Sequence, residues 1–269
     1  MLSDWLPLLA SEEGAEVDRL MLLTHSLMAI IFIGWLLFFI YVLIRFRKKR
    51  QPTAIYGGFR GRWPLLADIG VFTAEILLLA LIAIPFWMRV VEAQPGAGPA
   101  PVEVRVIAQQ YVWNCHYPGV DGQFGRVDVS LVDDQTNPVG LDRTDPAAAD
   151  DIVLVNQLTL PVDQPALVWL TSKDVVHSFY VPEFRVKRDA IPGMRIPVRF
   201  TPTMTTQQFQ ELTGNAERTF EIACAQLCGL GHYRMRGFLT VLKPEEYRAW
   251  LVDQAPKAEG EEPYDPFWD

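Results

Sequence analysis

The chemistry of this chain is concentrated in Cys224-Ala-Gln-Leu-Cys228-Gly-Leu-Gly-His232-Tyr-Arg-Met235, where two thiols, an imidazole and a thioether fall within twelve residues. Thiolate and thioether are soft donors, and imidazole completes a set that suits copper better than a hard cation. A mononuclear copper loop uses one Cys, one His and one Met, with a second His from a distant strand. Two thiolates can instead each bridge two metal ions, giving each copper two sulfurs and one His. Both arrangements require a further His. Of the four histidines, His25 lies in an apolar run, leaving His116 and His177. His177 sits in Asp174-Val-Val-His177-Ser-Phe-Tyr-Val-Pro182, which reads as a strand end followed by a turn, a setting from which loops deliver ligands. Cys-x₃-Cys alone would also suit a redox pair or half a zinc site. Zinc, however, has no use for Met235. Cys115 and His116 are adjacent in a candidate strand and point to opposite faces, so they do not share a site, and Cys115 reads as a buried thiol.

These residues need elements to position them. The 269 residues are 50% hydrophobic and 21% charged, with mean hydropathy +0.11. That balance excludes a disordered chain, which cannot bury enough apolar surface, and a many-span transporter, where charge is scarcer. Three cysteines are too few for a disulfide-stapled scaffold, and a net charge of −8 disfavours nucleic acid as a partner. A membrane anchor joined to a water-exposed domain remains. Leu20–Ile44 carries no charged side chain and as a helix spans roughly 37 Å, more than the ~30 Å hydrocarbon layer. Ile69–Met88 is a second run, with Glu75 its only ionisable group. Between positions 45 and 67 there are seven basic residues and no acidic one, whereas residues 1–19 hold five acids and one Arg. The positive-inside rule then puts the 45–67 loop in the cytoplasm and both termini outside.

The expected organisation is therefore an external segment 1–19, a two-helix hairpin 20–92, a linker 93–101 rich in Pro, Gly and Ala, a domain 102–254 and an acidic tail 255–269. Within the domain Val102–Val106, Val153–Leu160, Ala166–Thr171, Ile196–Thr201, Thr219–Ala223 and Phe238–Leu242 read as strands. Only Pro244–Gln254 reads as a helix, and Pro118–Asp151 as a long surface excursion. Short strands separated by turns suggest an antiparallel sandwich or Greek-key barrel.

With its hairpin, its external domain, Val176-His-Ser-Phe179, Asp189-Ala-Ile-Pro-Gly193 and the Cys224–Met235 loop, the chain resembles subunit II of the haem-copper cytochrome c oxidases over nearly its whole length. The resemblance implies a transmembrane α-helical hairpin followed by an all-β, cupredoxin-like Greek-key domain that holds a dinuclear copper centre, CuA. It implies that Cys224 and Cys228 bridge the coppers, that His177 and His232 each bind one, that Met235 is a weak ligand and that the Gln226 carbonyl supplies the last contact. It further implies that electrons arrive from a cytochrome c and pass to a haem in subunit I, which also holds CuB, where O₂ is reduced and protons are pumped. Subunit III would be a further partner. The setting would be a bacterial inner membrane, with the copper domain on the periplasmic side.

The chain departs from the family pattern in places. Many members have Glu between the cysteines, helping to bind magnesium against subunit I; Gln226 offers only a neutral amide. The aromatic patch through which electrons arrive often reads Gln-Trp-x-Trp, and here Gln110-Tyr111-Val112-Trp113 puts Tyr111 in the docking position and keeps Trp113. This suggests a donor other than ordinary soluble cytochrome c, such as a membrane-attached cytochrome domain. No Cys-x-x-Cys-His haem motif is present, so that haem belongs to another chain. From Ala93 to Asp269 there are 24 acidic and 15 basic side chains, a balance suited to a lysine-rich donor. Asp68 and Glu75 are candidates for the carboxylate that family members place at a proton path in subunit I. The rival readings are a quinol oxidase subunit without copper ligands, a membrane-anchored copper-delivery protein, and a CuA component of a nitric or nitrous oxide reductase.

Overall fold

The computed structural model describes residues 6–54, 56–57, 61–91 and 100–256. Most of the expected linker and nearly all of the tail thus lie outside the described residues. The described residues form two compact units, one within 15–89 and one joining residues 6–14 to residues 90–91 and 100–256.

The first unit is helical. Helix α1 is Glu12–Arg45, helix α2 is Trp63–Leu78, and a π-helical turn, Leu79–Ala83, leads into α3, Ile84–Val91. Each helix begins before its apolar run. Glu12 and Glu13 occupy the first turn of α1, where the helix dipole favours negative charge. Pro64 opens α2 at a position where its missing N–H costs nothing. Pro85 cannot donate within a helix and crowds the carbonyl four residues back. The π turn precedes it, with Ile84 N–H bonding Leu79 O. Glu12–Arg45 and Trp63–Met88 are long and apolar enough to cross a membrane, and Phe32, Trp35, Phe72 and Trp87 along them are exposed.

The second unit is a sandwich of two five-stranded sheets. One has the order β3-β2-β1-β5-β8, from Ile152–Val155, Val112–Tyr117, Val102–Gln109, Ala166–Ser172 and Ile196–Phe200. The other has the order β4-β10-β9-β6-β7, from Gln157–Pro161, Arg236–Leu242, Phe220–Cys224, His177–Val181 and Val186–Ala190. Alternation supplies the core: Val104, Val106 and Ala108 of β1 and Val168 and Leu170 of β5 face Leu158, Leu160, Phe179, Ile222, Leu239 and Val241 of the other sheet. Most pairings are antiparallel, but β1 runs parallel to β5 and β4 to β10.

Two expectations need correction. Val153–Leu160 is two strands, because Asn156 takes a positive φ of 59° and passes the chain from one sheet to the other. A second helix, α4 at Thr206–Thr213, precedes α5 at Pro244–Gln254; Thr205 and Gln208 form a capping box and Gly214 closes α4 in the left-handed conformation. Residues 10–13, within the expected external segment 1–19, are bonded to the β unit. Ala10 N–H bonds Glu183 O at 2.8 Å, Ser11 Oγ bonds Phe184 O at 2.7 Å, and Glu13 Oε2 accepts from Thr201 N at 2.8 Å.

The Pro118–Asp151 excursion contains two short 3₁₀ turns and covers the outer face of β2, which is why that strand is buried on both faces. Cys115 points into the core, and burial pushes its thiol up to about 12. His116 points the other way, under Phe124, and its Nε2 lies 2.7 Å from Asp151 Oδ2.

Candidate metal centre

The centre is built at one end of the second sheet. Strands β6 and β9 are antiparallel, with Phe179 opposite Cys224. His177 opens β6 rather than closing a strand, and being two residues before Phe179 it shares that residue's face. Its Nδ1 lies 3.9 Å from Cys224 Sγ. The chain then turns: Ala225 N–H bonds Ser178 O at 2.9 Å, and Gln226 O comes back to 3.2 Å from Cys224 Sγ. Cys228 Sγ sits 3.8 Å from Cys224 Sγ, 3.7 Å from His232 Nδ1 and 3.7 Å from Met235 Sδ. A hydrogen bond from Cys224 N to Met235 O, 3.3 Å, closes the loop at its base.

The two sulfurs thus lie at the middle, with one imidazole Nδ1 beside each. They are free thiols, well beyond the ~2.05 Å of a disulfide. Donors bound to one metal through bonds of ~2.0–2.3 Å sit roughly 3.5 Å apart, close to the spacing found. Among the described residues, His177, Cys224 and Cys228 are the group of His, Cys and acidic side chains close enough to hold an ion, and all three are buried. The donor set is soft, as copper prefers.

Electrostatics prepares the ligands. Burial opposes ionisation of Cys224, but hydrogen bonding to His177 and to the Ser178 and Gln226 backbone outweighs it and brings the thiol down to about 6. Burial and the neighbouring Cys224 push Cys228 up to about 11. Burial likewise opposes charge on His177, yet Cys224 and Asp174 together raise its pKa. Asp174 Oδ1 lies 2.9 Å from His177 Nε2. A proton on Nε2, donated to this carboxylate, leaves the Nδ1 lone pair facing Cys224.

Trp113 is fully buried, edge-on to His177 at 6.1 Å between ring centroids and to Phe179 at 5.7 Å. Tyr111 is half-buried and lies over the Cys224–Met235 loop: a Cβ at Gly231 would stand 2.5 Å from its ring. Of the expected aromatic pair, only Tyr111 reaches the surface. Leu230, between the two glycines beneath Tyr111, is 96% exposed.

Residues 102–241 match the family described as the periplasmic domain of cytochrome c oxidase subunit II. The chain belongs to that family. It is 34% identical to the alternative cytochrome c oxidase subunit 2 of Bradyrhizobium diazoefficiens, over 93% of this chain and 83% of that protein. It is 29% identical to cytochrome c oxidase subunit 2 of Cereibacter sphaeroides, over 80% of this chain and 68% of the relative. The crystal structure of the periplasmic domain of cytochrome oxidase subunit II from Bradyrhizobium japonicum aligns with 59% of this chain and 96% of its own, at 25% identity and a TM-score of 0.40.

The β unit of this subunit II is the two-sheet sandwich described above, and the other sequence-predicted residues can be placed around it. His25 bonds its own helix through Met21 O. His116 is held by Asp151 on the far face of β2, away from the thiols. Asp68 and Glu75 both lie on α2, seven residues apart and so on one helix face, and both are exposed. The Gln226 side chain is exposed while its carbonyl faces Cys224. Sequence reasoning assigned no role to Asp174 or Gln110. The three-residue spacing of Asp174 from His177 is a local signal for the first; nothing local marks the second.

Proposed function

We propose that this chain is the electron-accepting subunit of a respiratory cytochrome c oxidase, with a dinuclear copper centre at Cys224, Cys228, His177, His232, Met235 and the Gln226 carbonyl. The observation that carries the reading is the pairing of two adjacent cysteine sulfurs with one imidazole Nδ1 apiece. Two thiolates shared between two metals, with one imidazole for each, would account for all four strong donors; a mononuclear blue-copper site, which uses a single thiolate, would leave the other over. When bound, a copper pair supplies one-electron chemistry with little change between its two oxidation states.

The chain's own residues set the conditions for that chemistry. Buried Trp113, Phe179 and the two sheets keep water from the sulfurs, and Asp174 orients His177. Tyr111 is the aromatic surface at which a donor arrives, and the donor is a cytochrome c or a membrane-attached cytochrome c domain. Electrons then pass to the haem of subunit I, where O₂ is reduced and protons are pumped, with subunit III completing the complex. The bonds from residues 10–13 to the β unit support a reading in which the N-terminal segment and the copper domain share one side of the membrane. With the basic segment between the helices on the opposite, cytoplasmic side, the domain is periplasmic at the bacterial inner membrane. We assign Asp68, nearer than Glu75 to that segment, to the proton path. A magnesium ion at the boundary with subunit I would find only an amide oxygen in the Gln226 side chain, a weaker donor than a carboxylate.

The test is to load the purified full chain with copper in detergent and record metal content and the EPR spectrum. Two coppers per chain sharing one unpaired electron equally is the expected result. One copper with ordinary mononuclear hyperfine structure would overturn it in favour of a copper-delivery role.

A further inference from the structure

The copper ligands come from two separate stretches of chain, the start of β6 and the loop after β9. One residue outside both is bonded toward each. Gln110, in the turn between β1 and β2, donates its backbone N–H to Asp174 Oδ2 at 2.8 Å, and the other oxygen of that carboxylate holds His177 Nε2 at 2.9 Å. The side chain of Gln110 reaches the other way, and its Nε2 donates to Cys228 O at 2.6 Å. The partners lie 64 and 118 residues further along the chain. The loop is shaped to admit this contact. A Cβ at residue 229 would fall 2.7 Å from Gln110 Nε2 and from the Tyr111 hydroxyl, and the φ there is +140°, so only glycine fits.

Resting on the copper reading above, we propose that Gln110 is a positioning residue that braces His177 against Cys228. Its amide fixes the peptide that follows Cys228, and with it the direction of one sulfur relative to the other. Its backbone N–H fixes the carboxylate that sets the tautomer and angle of the first imidazole. Partners at this remove from a metal are worth about 10–100-fold in metal affinity when removed. Gln110 is exposed, so altering its side chain leaves the core untouched.

Gln110→Glu is the discriminating variant. It keeps the shape and the backbone bond to Asp174 but turns a donor amide into an acceptor facing the Cys228 carbonyl. Gln110→Ala removes the group altogether. Full chains loaded with copper are compared by proton ENDOR of the cysteine Cβ protons and by copper release to a copper(I) chelator, with thermal melting of the copper-free chains as the control for folding. The expected result is that one of the two cysteine Cβ-proton pairs shifts while the other stays, that copper is released about 10–100-fold more readily, and that copper-free melting is unchanged. Unchanged couplings with wild-type copper retention would overturn the brace, as would equal shifts at both cysteines accompanied by a lowered copper-free melt. If the wild-type chain itself lacked the shared-electron signal, the copper reading would fail first and the brace with it.

Discussion

Removal of the Asp151 carboxylate should destabilise the external domain heavily while leaving the copper site intact. Asp151 and His116 are both fully buried. One oxygen, Asp151 Oδ2, accepts from His116 Nε2 at 2.7 Å and from Gly125 N at 2.9 Å. Asp151→Leu strands both donors away from water, and an orphaned buried donor costs about 1–3 kcal/mol. The loss is then about 2–6 kcal/mol, a large share of a domain's stability. At about 2–4 °C per kcal/mol for a domain of this size, the melting temperature should fall by roughly 5–20 °C. The assay is thermal unfolding of the detergent-solubilised chain, followed by the near-ultraviolet signal of its buried aromatics. His116→Leu with Asp151→Leu removes one of the stranded donors. It also removes His116 Nδ1, which has no partner among the described residues. The double variant should therefore recover about 1–3 kcal/mol relative to Asp151→Leu alone. The copper EPR spectrum of all variants should match wild type, because His116 faces the excursion and not the thiols. A fall below about 2 °C for Asp151→Leu would refute the reasoning, since it would show that water reaches the stranded donors.

Other consequences can be checked alongside. Gly231→Ala sets a methyl against the Tyr111 ring, with three ring atoms 2.5–2.7 Å from the new Cβ; the cost should be about 1–3 kcal/mol and should largely vanish in a Tyr111→Ala background, a coupling that a double-mutant cycle measures. Met235→Leu conserves volume at a site only 2% exposed, so stability should change by less than about 1.5 kcal/mol. The copper EPR spectrum should nonetheless change, and an unaltered spectrum would remove Met235 from the ligand set. Hydrogen bonds from the Thr144 hydroxyl, Arg126 and the Thr144 N–H bring Asp142 down from 3.8 to about 2. Because the folded value is the lower one, this contribution is complete above about pH 4 and is lost as pH falls toward 2. Acid unfolding of wild type should accordingly be steeper than that of Asp142→Asn in this window, and parallel curves would contradict the assignment.

Much of the fold was readable from local pattern, and the failures have physical causes. The alternation in Ala166–Ser172 and Phe238–Leu242 marks strands because one side of each faces the core and the other does not. Val153–Leu160 hides its break, since the residue that switches sheets is Asn156, with neither Gly nor Pro beside it. Asn enters the left-handed region readily enough for the chain to turn there unannounced. Helix α4 did carry a signal, the Thr205-x-x-Gln208 box with Gly214 beyond, but its eight residues are short and polar enough to pass for a loop. The burial of His116 was not legible at all. It depends on an excursion of turns, rich in Asp, Gly and Pro, folding back over β2, and no periodicity in that stretch reports what it covers.

The site divides in the same way, between what is local and what topology supplies. Four side-chain donors lie within one loop, so their kinship is visible in spacing alone. The remaining His was ambiguous between two candidates of identical chemistry. The sheets separate them: His177 lies on β6, hydrogen-bonded neighbour to the strand that ends in Cys224, while His116 lies on β2 in the opposite sheet and faces away from it. The same neighbourhood explains the aromatic pair. Tyr111 and Trp113 are two residues apart, yet the cross-sheet position that lays Tyr111 over the loop glycines sinks Trp113 against His177. Gln110 illustrates the limit most clearly. As an exposed polar residue in a turn it looks dispensable, and its bonds toward two ligands exist only because the β1–β2 turn, the segment before β6 and the loop after β9 emerge at the same end of the sandwich. Positioning residues of this kind follow from topology and not from residue type, so a search for them begins with the backbone carbonyls and carboxylates that touch the ligands.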